Sequence, residues 1–447
     1  SEITITTYIA PGLNKDNLKV IYGNDEKNYL ADYDSITGKL VFKTNHFSEY
    51  YVVADAIASI GSTGYAFLQD AIDAASEGDS VVLRESVVLK KTIEIADGRA
   101  ITLNLNSNDI EYNSSAMFSI DGNGENKGGS LKVEGNGRIK NSANFVFKIT
   151  GDSNSNGSVC NLSIGKDVEV EGPYAISVYP SNSAIECYNV NVDVYGKVSG
   201  LQPIYINGNI KGGDVCFKIF DSAEIECFNG SSLYFAGFAK TSIEKASIRS
   251  DGNAIVIAAG ELEINGATIN GGKKESSDLG TGGAISVNGS SAIYAKQHTT
   301  NLPLKVVVNS GLFSAYIPFY QDKGEKGNSA NPNEVVIEIK AGEFICESNC
   351  EGSVSVKSED KKGFITGGTF NSNPSLYVAT GYVAVQEEDL SAWTVKKAVA
   401  KINECYSASL VEAINAAKPG DTVTMLCDSN GMGLSSADVT DDELRKD

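Results

Sequence analysis

The sequence predicts an all-β chain: most of it a solenoid of stacked short strands, a β-helix, closed at its front by a helix and preceded by a small β domain. Three observations lead there. A segment that reads helix, then glycine, then strand occurs twice, at Leu68 and again at Leu410, with one constant offset between its matching residues. Between the copies, short alternating apolar runs are broken by Gly, Asn, Ser and Asp every ~20 to 30 residues, within the range of solenoid repeats. Several of those runs end in a glycine followed closely by a hydrophobic residue.

Residues 1–54 read as a small sandwich-like β domain or its C-terminal part. Ser1-Glu2-Ile3-Thr4-Ile5-Thr6 alternates, Asn17 to Tyr22 follows as a second strand, and Thr37-Gly38 supplies a hairpin turn before Lys39-Leu40-Val41-Phe42. A few strands of this kind suit a spacer. His46 is one of two histidines. It is expected to pack or turn the chain, because no Cys, second His or serine motif accompanies it.

Residues 55–397 are expected to form the solenoid, with its lid helix near 66–76. Leu68, Ala71, Ile72 and Ala75 recur at i, i+3, i+4 and i+7, the apolar stripe of an amphipathic helix. Gly78 suits the left-handed residue at a helix end, and Ser80-Val81-Val82-Leu83 opens the strands. Runs such as Ile101–Leu105, Val159–Ile164, Val190–Val194 and Val335–Ile339 alternate. Corners recur at Gly266-Ala267-Thr268-Ile269, Ser310-Gly311-Leu312-Phe313, Ala341-Gly342-Glu343-Phe344 and Gly367-Gly368-Thr369-Phe370. Stacking such rungs lines inward Val, Ile, Leu and Phe into columns while Gly and Asn turn the corners. Propeller blades would repeat more strictly and carry tryptophans, and the chain has one, Trp393. At roughly 22 residues per rung the segment holds about a dozen or more rungs, a rod of order 60 Å at ~4.8 Å per strand. Open ends invite association, so the Leu68/Ala71/Ile72 face is expected to lie on the first rung and leave the protein monomeric.

Residues 398–447 begin the pattern again. Ala413 matches Ala71, Ile414 matches Ile72, Gly420 matches Gly78 and Asp421 matches Asp79. The segment reads as the start of a second, truncated module or as a C-terminal cap, and the chain as a slice of a longer tandem array.

Charge and cysteine usage narrow the partners. A net charge of −20 argues against nucleic-acid and anionic-membrane partners, which need basic patches. Arginine, the usual clamp for carboxylates and phosphates, occurs only at Arg84, Arg99, Arg138, Arg249 and Arg445. No apolar run reaches the ~18 residues of a membrane span, and no signal peptide opens the chain, as expected of a fragment. No cysteines show paired C-x-x-C spacing, so no cofactor or metal is expected. Cys160, Cys187, Cys216 and Cys227 sit in strand-like runs and read as small buried hydrophobes. Cys346 and Cys350 are close enough for a local disulfide or a stray pair of soft ligands.

The repeated start, the corner Gly367-Gly368-Thr369-Phe370-Asn371-Ser372-Asn373-Pro374 with Tyr377-Val378-Ala379 and Gly381-Tyr382, and the ending His46-Phe47-Ser48-Glu49-Tyr50 resemble modules of large surface proteins of Gram-positive gut bacteria. Those modules are similar to right-handed parallel β-helices of the pectate-lyase-like kind. The resemblance covers nearly the whole chain. It implies secreted, cell-wall-associated display and no particular activity.

Three functions follow in order of preference. The first is a non-catalytic adhesion or glycan-binding module. Aromatics crowd the middle rungs, and outward tyrosines from successive rungs would form a strip on which sugar rings stack. Tyr179, Tyr188, Tyr195, Tyr205, Tyr316 and Tyr320 are the candidates, with Asn182, Asn207 and Gln202 as hydrogen-bonding neighbours. The alternative for these rings is an inward ladder filling the core. Host or dietary glycans, or a surface protein, are the expected partners. The second is a structural stalk. The third is a polysaccharide lyase or glycoside hydrolase. Resemblance to β-helix polygalacturonases would imply N-x-D with an adjacent D-D, then G-H-G and R-x-K. Asn191-Val192-Asp193 and Arg138-Ile139-Lys140 match one piece each, in the wrong order; Gly-His-Gly is absent and the only Asp-Asp is Asp441-Asp442. A lyase needs a calcium-binding carboxylate cluster and a Lys or Arg base. Asp214, Asp221, Asp251, Lys218, Arg249 and His298 are scattered candidates that read as solvated surface.

Overall fold

The structure is a computed structural model that describes residues 2–13, 15–22, 27–47, 49–96, 98–122, 128–151, 159–180, 186–228, 230–273, 290–297, 302–322, 335–347, 350, 352–357, 363–387 and 392–426. It is mostly β, with long parallel sheets and two short α-helices, α1 (Leu68–Ala74) and α2 (Leu410–Ala416).

The described residues up to Ala54 form a small antiparallel unit. Ile3–Tyr8, Lys39–Thr44 and Leu30–Asp34 make one sheet, and Leu18–Ile21 pairs with Tyr51–Ala54. Leu18, Val20, Tyr33, Leu40 and Phe42 are its buried core. The Thr37-Gly38 turn forms as the sequence predicts: Gly38 has φ +71°, and the Asp34 carboxylate accepts from the Thr37 hydroxyl at 2.7 Å. His46 packs edge-on against Tyr22, with ring centroids 4.8 Å apart, and against Tyr50.

From Ser80 onward the chain feeds three ladders of parallel strands in turn. The first runs through Ser80–Leu83, Arg99–Asn104, Gly128–Glu134 and Val159–Ile164. The second runs through Val87–Val88, Ile110–Tyr112, Gly137–Asn141 and Val168–Glu171. The third is a ten-stranded sheet from Ile93–Ile95 to Val354–Val356. Strand alternation puts Ile101, Leu131, Leu162 and Val192 of the first ladder, Ile110, Ile139 and Val170 of the second, and Ile93, Phe118, Phe147 and Ile176 of the third into one continuous core. That order of visits is compatible with a β-helix. The passes are longer than the sequence suggests. Successive partners in the first ladder are 21 residues apart from Thr241 to Leu262 but 44 from Leu262 to Val306. Among the described residues the third ladder holds ten strands, fewer than the dozen or more rungs expected, and spans about 43 Å at ~4.8 Å each.

Glycine corners build an aromatic column at the join of the first and second ladders. Phe313, Phe344 and Phe370 are in register and stack, with centroids 4.6 and 4.9 Å apart. Two residues earlier, Gly342 sits at φ +119°, and a Cβ there would lie 3.0 Å from the Phe313 ring. The corner needs glycine because the backbone is left-handed and the stacked ring occupies the side-chain space.

Both ends of the stack meet antiparallel segments. Ala58–Ile60 pairs with Ser80–Leu83 at the front, and Thr369–Phe370 pairs with Trp393–Lys397 at the back. The α1 stripe behaves as predicted, with Leu68, Ala71 and Ile72 buried in the main core. Its polar side engages the first strand of the third ladder. Gln69 Oε1 accepts from the Glu94 N–H at 2.8 Å, and Gln69 Nε2 donates to the Glu94 carbonyl at 3.1 Å. An edge strand's exposed backbone groups are thereby satisfied by a side chain.

Candidate functional site

The outer face of the third ladder carries the aromatic site. In Tyr174–Pro180 and Ile204–Ile206, alternation turns Ile176, Val178, Ile204 and Ile206 into the core and leaves Tyr179 and Tyr205 outside. Parallel register then brings neighbouring strands' rings together, since Phe145 pairs with Tyr174 and Ser177 with Tyr205. Tyr179 and Tyr205 lie 5.8 Å apart between centroids, Tyr174 is 6.0 Å from Tyr205, and Phe145 is 5.4 Å from Tyr174 and 5.6 Å from Tyr179. Lys148 places its ammonium 5.6 Å from the Tyr179 ring centre, a cation–π distance.

Both phenols are half-buried and hold their protons tightly. Burial is the main cause for each, reinforced by the neighbouring tyrosines; the nearby Asn207 side chain pulls the other way. The surface thus offers ring faces, the Tyr179 and Tyr205 hydroxyls, the Asn207 amide and the Lys148 ammonium. These are the groups that stack on and hydrogen-bond to a polyhydroxylated ring.

The six tyrosines singled out in the sequence do not form one strip. Tyr179 and Tyr205 meet. Tyr188 sits apart on Glu186–Val194, at a register shift between Cys187 and Val190. Tyr195 stacks face to face on Phe220, with centroids 4.1 Å apart, where the chain leaves the first ladder. Tyr316 and Tyr320 are 7% and 8% exposed, members of a second buried cluster with Tyr234, Val256, Tyr294 and Ile317, and so present no open ring face to a ligand. The row Tyr205, Tyr234, Val256, Tyr294, Tyr320 is continuous in register but open only at its Tyr205 end. Gln202 is likewise buried, at 6% exposure, and Asn182 and His298 lie outside the described residues. Phe145 and Lys148 escaped the sequence analysis. Only the register reveals them, because Phe145 is one pass removed from Tyr174.

The outer face of the first ladder holds a shallow groove of about 380 Å³ lined by Thr102, Lys132, Ser163 and Asp193 among others. Its floor is a polar ladder in which Asn161 Nδ2 donates to Ser130 Oγ at 2.7 Å and Asn191 Nδ2 to Asn161 Oδ1 at 2.9 Å. Asn191-Val192-Asp193 thus belongs to the first ladder. Arg138 and Lys140 belong to the second, where Arg138 lies 3.5 Å from Asp109 and Glu111 and Lys140 lies 2.6 Å from Glu171. The structure does not bring these two sequence matches together. Asp214 accepts from the Asn189 N–H, and Arg249 lies 3.8 Å from Glu226. Among the described residues, no group of three or more His, Cys, Asp or Glu is placed to hold a metal, and no helix is long and apolar enough to cross a membrane.

The cysteines divide as their surroundings dictate. Cys160, Cys187 and Cys227 are buried, Cys216 is intermediate, Cys405 is exposed, and Cys346 and Cys350 are joined in a disulfide. Burial pushes the Cys227 thiol up to about 12, with Asp251 adding to it and the Ser250 hydrogen bond opposing. No family model, curated protein or solved structure matches the chain.

Proposed function

We propose that the chain is a non-catalytic glycan-binding module of an extracellular, cell-wall-associated protein, built as a right-handed parallel β-helix that α1 caps. The three-ladder order of visits supports the coil, and the strong right-handed preference of parallel crossovers supports its hand. The Gln69–Glu94 pairing supports the cap.

One observation carries the binding role: the half-buried Tyr179–Tyr205 pair, with Asn207 beside it, flanked by Phe145, Tyr174 and Lys148 on a rigid sheet face. The main core does not require that pair, because Tyr179 and Tyr205 alternate to the opposite face of the sheet from Ile176 and Ile204, although Tyr205 also stacks on the buried Tyr234. The Lys148 ammonium favours sugars bearing a carboxylate over neutral ones.

Glycan-array binding followed by calorimetry on the strongest hit tests the reading. Tyr179→Ala with Tyr205→Ala is expected to abolish binding while the circular dichroism spectrum stays unchanged. Binding unaffected by the pair, or no hit with the parent protein, would remove the proposal. A structural stalk is the second reading, favoured by the duplicated lid at residues 399–426.

A further inference from the structure

We infer that the corner where the chain passes from the second ladder into the third is a built hydration site, in which ordered water molecules bridge Gln202, Ser231 and Asn253 across successive passes. The inference rests on the register of the third ladder and is independent of glycan binding.

The three residues hold one position in the stack. Ile204, Leu233 and Ile255 are successive register partners, and Gln202, Ser231 and Asn253 each stand two residues before them. All three are polar and almost fully buried, at 6%, 0% and 0% exposure. Each carries a buried atom that no protein group reaches: Gln202 Nε2, Ser231 Oγ and Asn253 Nδ2. An unpaired buried polar atom bears the full cost of its desolvation, and native chains pair nearly all such atoms with protein or with water. Three of them at one position of one corner call for a shared partner.

Elsewhere the same corner satisfies its polar groups from the protein. In an earlier pass Asn141 Nδ2 donates to the Ser115 and Phe145 carbonyls, both at 2.7 Å, and Asn141 Oδ1 accepts from the Ala143 N–H at 3.0 Å. Beside the three residues, Ser250 Oγ donates to the Gly230 carbonyl at 2.8 Å and Ser232 Oγ donates to the Arg249 carbonyl. Turning the Asn253 amide over does not rescue it. Its Oδ1 already accepts from the Ser291 N–H at 2.9 Å, and a flip would set two donors against each other.

Spacing and chemistry together select the occupant. In-register residues on adjacent strands lie ~4.8 Å apart, too far for a direct bond from the short Ser231 side chain. Two hydrogen bonds of about 2.8 Å that meet on one oxygen at the tetrahedral angle span about 4.6 Å. One water between Gln202 and Ser231 and another between Ser231 and Asn253 therefore match the pitch of the stack. Two of the three atoms are amide N–H donors, which repel a cation. None of the three side chains is charged, so a buried anion would stand uncompensated. Water accepts from both amides and takes either role with the Ser231 hydroxyl. The Asn253–Ser291 bond closes one end of the file; at the other, the Gln202 N–H donates to the Pro173 carbonyl at 2.9 Å.

The test is a high-resolution crystal structure of the full chain, read together with water-oxygen magnetic relaxation dispersion in solution. The parent is expected to show one water within hydrogen-bond distance of Gln202 Nε2 and Ser231 Oγ, and another within that distance of Ser231 Oγ and Asn253 Nδ2. Ser231→Ala deletes the shared group and keeps the Asn253–Ser291 bond. Occupancy of both waters is expected to fall at least about twofold, and the count of long-lived waters in solution by about two. A corner with no density between these atoms would overturn the inference, as would side chains turned to bond carbonyls directly, or an ion in the same place. Waters that keep full occupancy in Ser231→Ala would overturn the bridge as well. Failure of the register itself would appear separately in the same crystal, as loss of the Ile204, Leu233, Ile255 alignment.

Discussion

Phe344→Ala is the substitution whose cost is best defined by the structure. Phe344 is fully buried and sandwiched between Phe313 and Phe370 at 4.6 and 4.9 Å. Removing a buried phenyl ring from a close-packed core costs ~3–5 kcal/mol through lost transfer free energy and the cavity left behind. Two stacking contacts at ~0.5–1.5 kcal/mol each place this site at the upper end of that range. Relief is limited, because the flanking Gly311, Gly342 and Gly368 are held left-handed at the corners and have no side chains to move into the space. In a stack whose strands touch only adjacent passes, the loss stays local. Hydrogen exchange read segment by segment should therefore show Leu304–Ala315, Glu343–Cys346 and Thr369–Phe370 opening ~3 kcal/mol or more sooner, with Gly128–Glu134 unaffected. Phe228→Ala, at a ring that is 50% exposed, serves as the control and should change little. A cost below ~1 kcal/mol at Phe344, or equal loss of protection throughout the chain, would refute the column.

Three further outcomes follow from particular contacts. Gln69→Ala removes both side-chain bonds to Glu94, at ~0.5–1.5 kcal/mol each, and should speed exchange at Ile93–Ile95 before any other strand of the third ladder. Thiol titration of the native protein should label Cys405 quickly and Cys227 only on unfolding. Because the Cys227 thiol is raised from 9.0 to about 12, its contribution to stability is complete below pH 9 and is lost as the pH climbs towards 12, a trend that Cys227→Ser should weaken in pH-dependent urea melts. Arg138→Ala deletes ion pairs to Asp109, Glu111 and Glu171 around a side chain that is 35% exposed, so its cost should be at most ~1 kcal/mol and should fade in high salt.

Much of the architecture is legible in the residues because it depends on local rules. Alternation identifies the faces of Val159–Ile164 and Val190–Val194, the helical stripe identifies α1, and glycine before phenylalanine identifies the corners at Gly342 and Gly368. Register is not local. Steps that vary from 21 to 44 residues hide which outward side chains become neighbours, so Phe145 and Lys148 join Tyr179 only in three dimensions. Alternation also cannot tell an open face from a covered one. Tyr205 in Ile204-Tyr205-Ile206 and Tyr294 in Ile293-Tyr294-Ala295 occupy the same outward row, yet Tyr205 is half-exposed and Tyr294 fully buried.

Pulsed electron-spin distances along the outer face of the second ladder test the stacked parallel register most directly. Glu111, Lys140, Glu171, Ser199, Glu226 and Arg249 are successive partners there. Label pairs from position 111 to positions 171, 226 and 249 should therefore lie about 10, 19 and 24 Å apart, rising by ~4.8 Å per strand. Distances that fail to grow in that order, as facing antiparallel sheets would give, would contradict it.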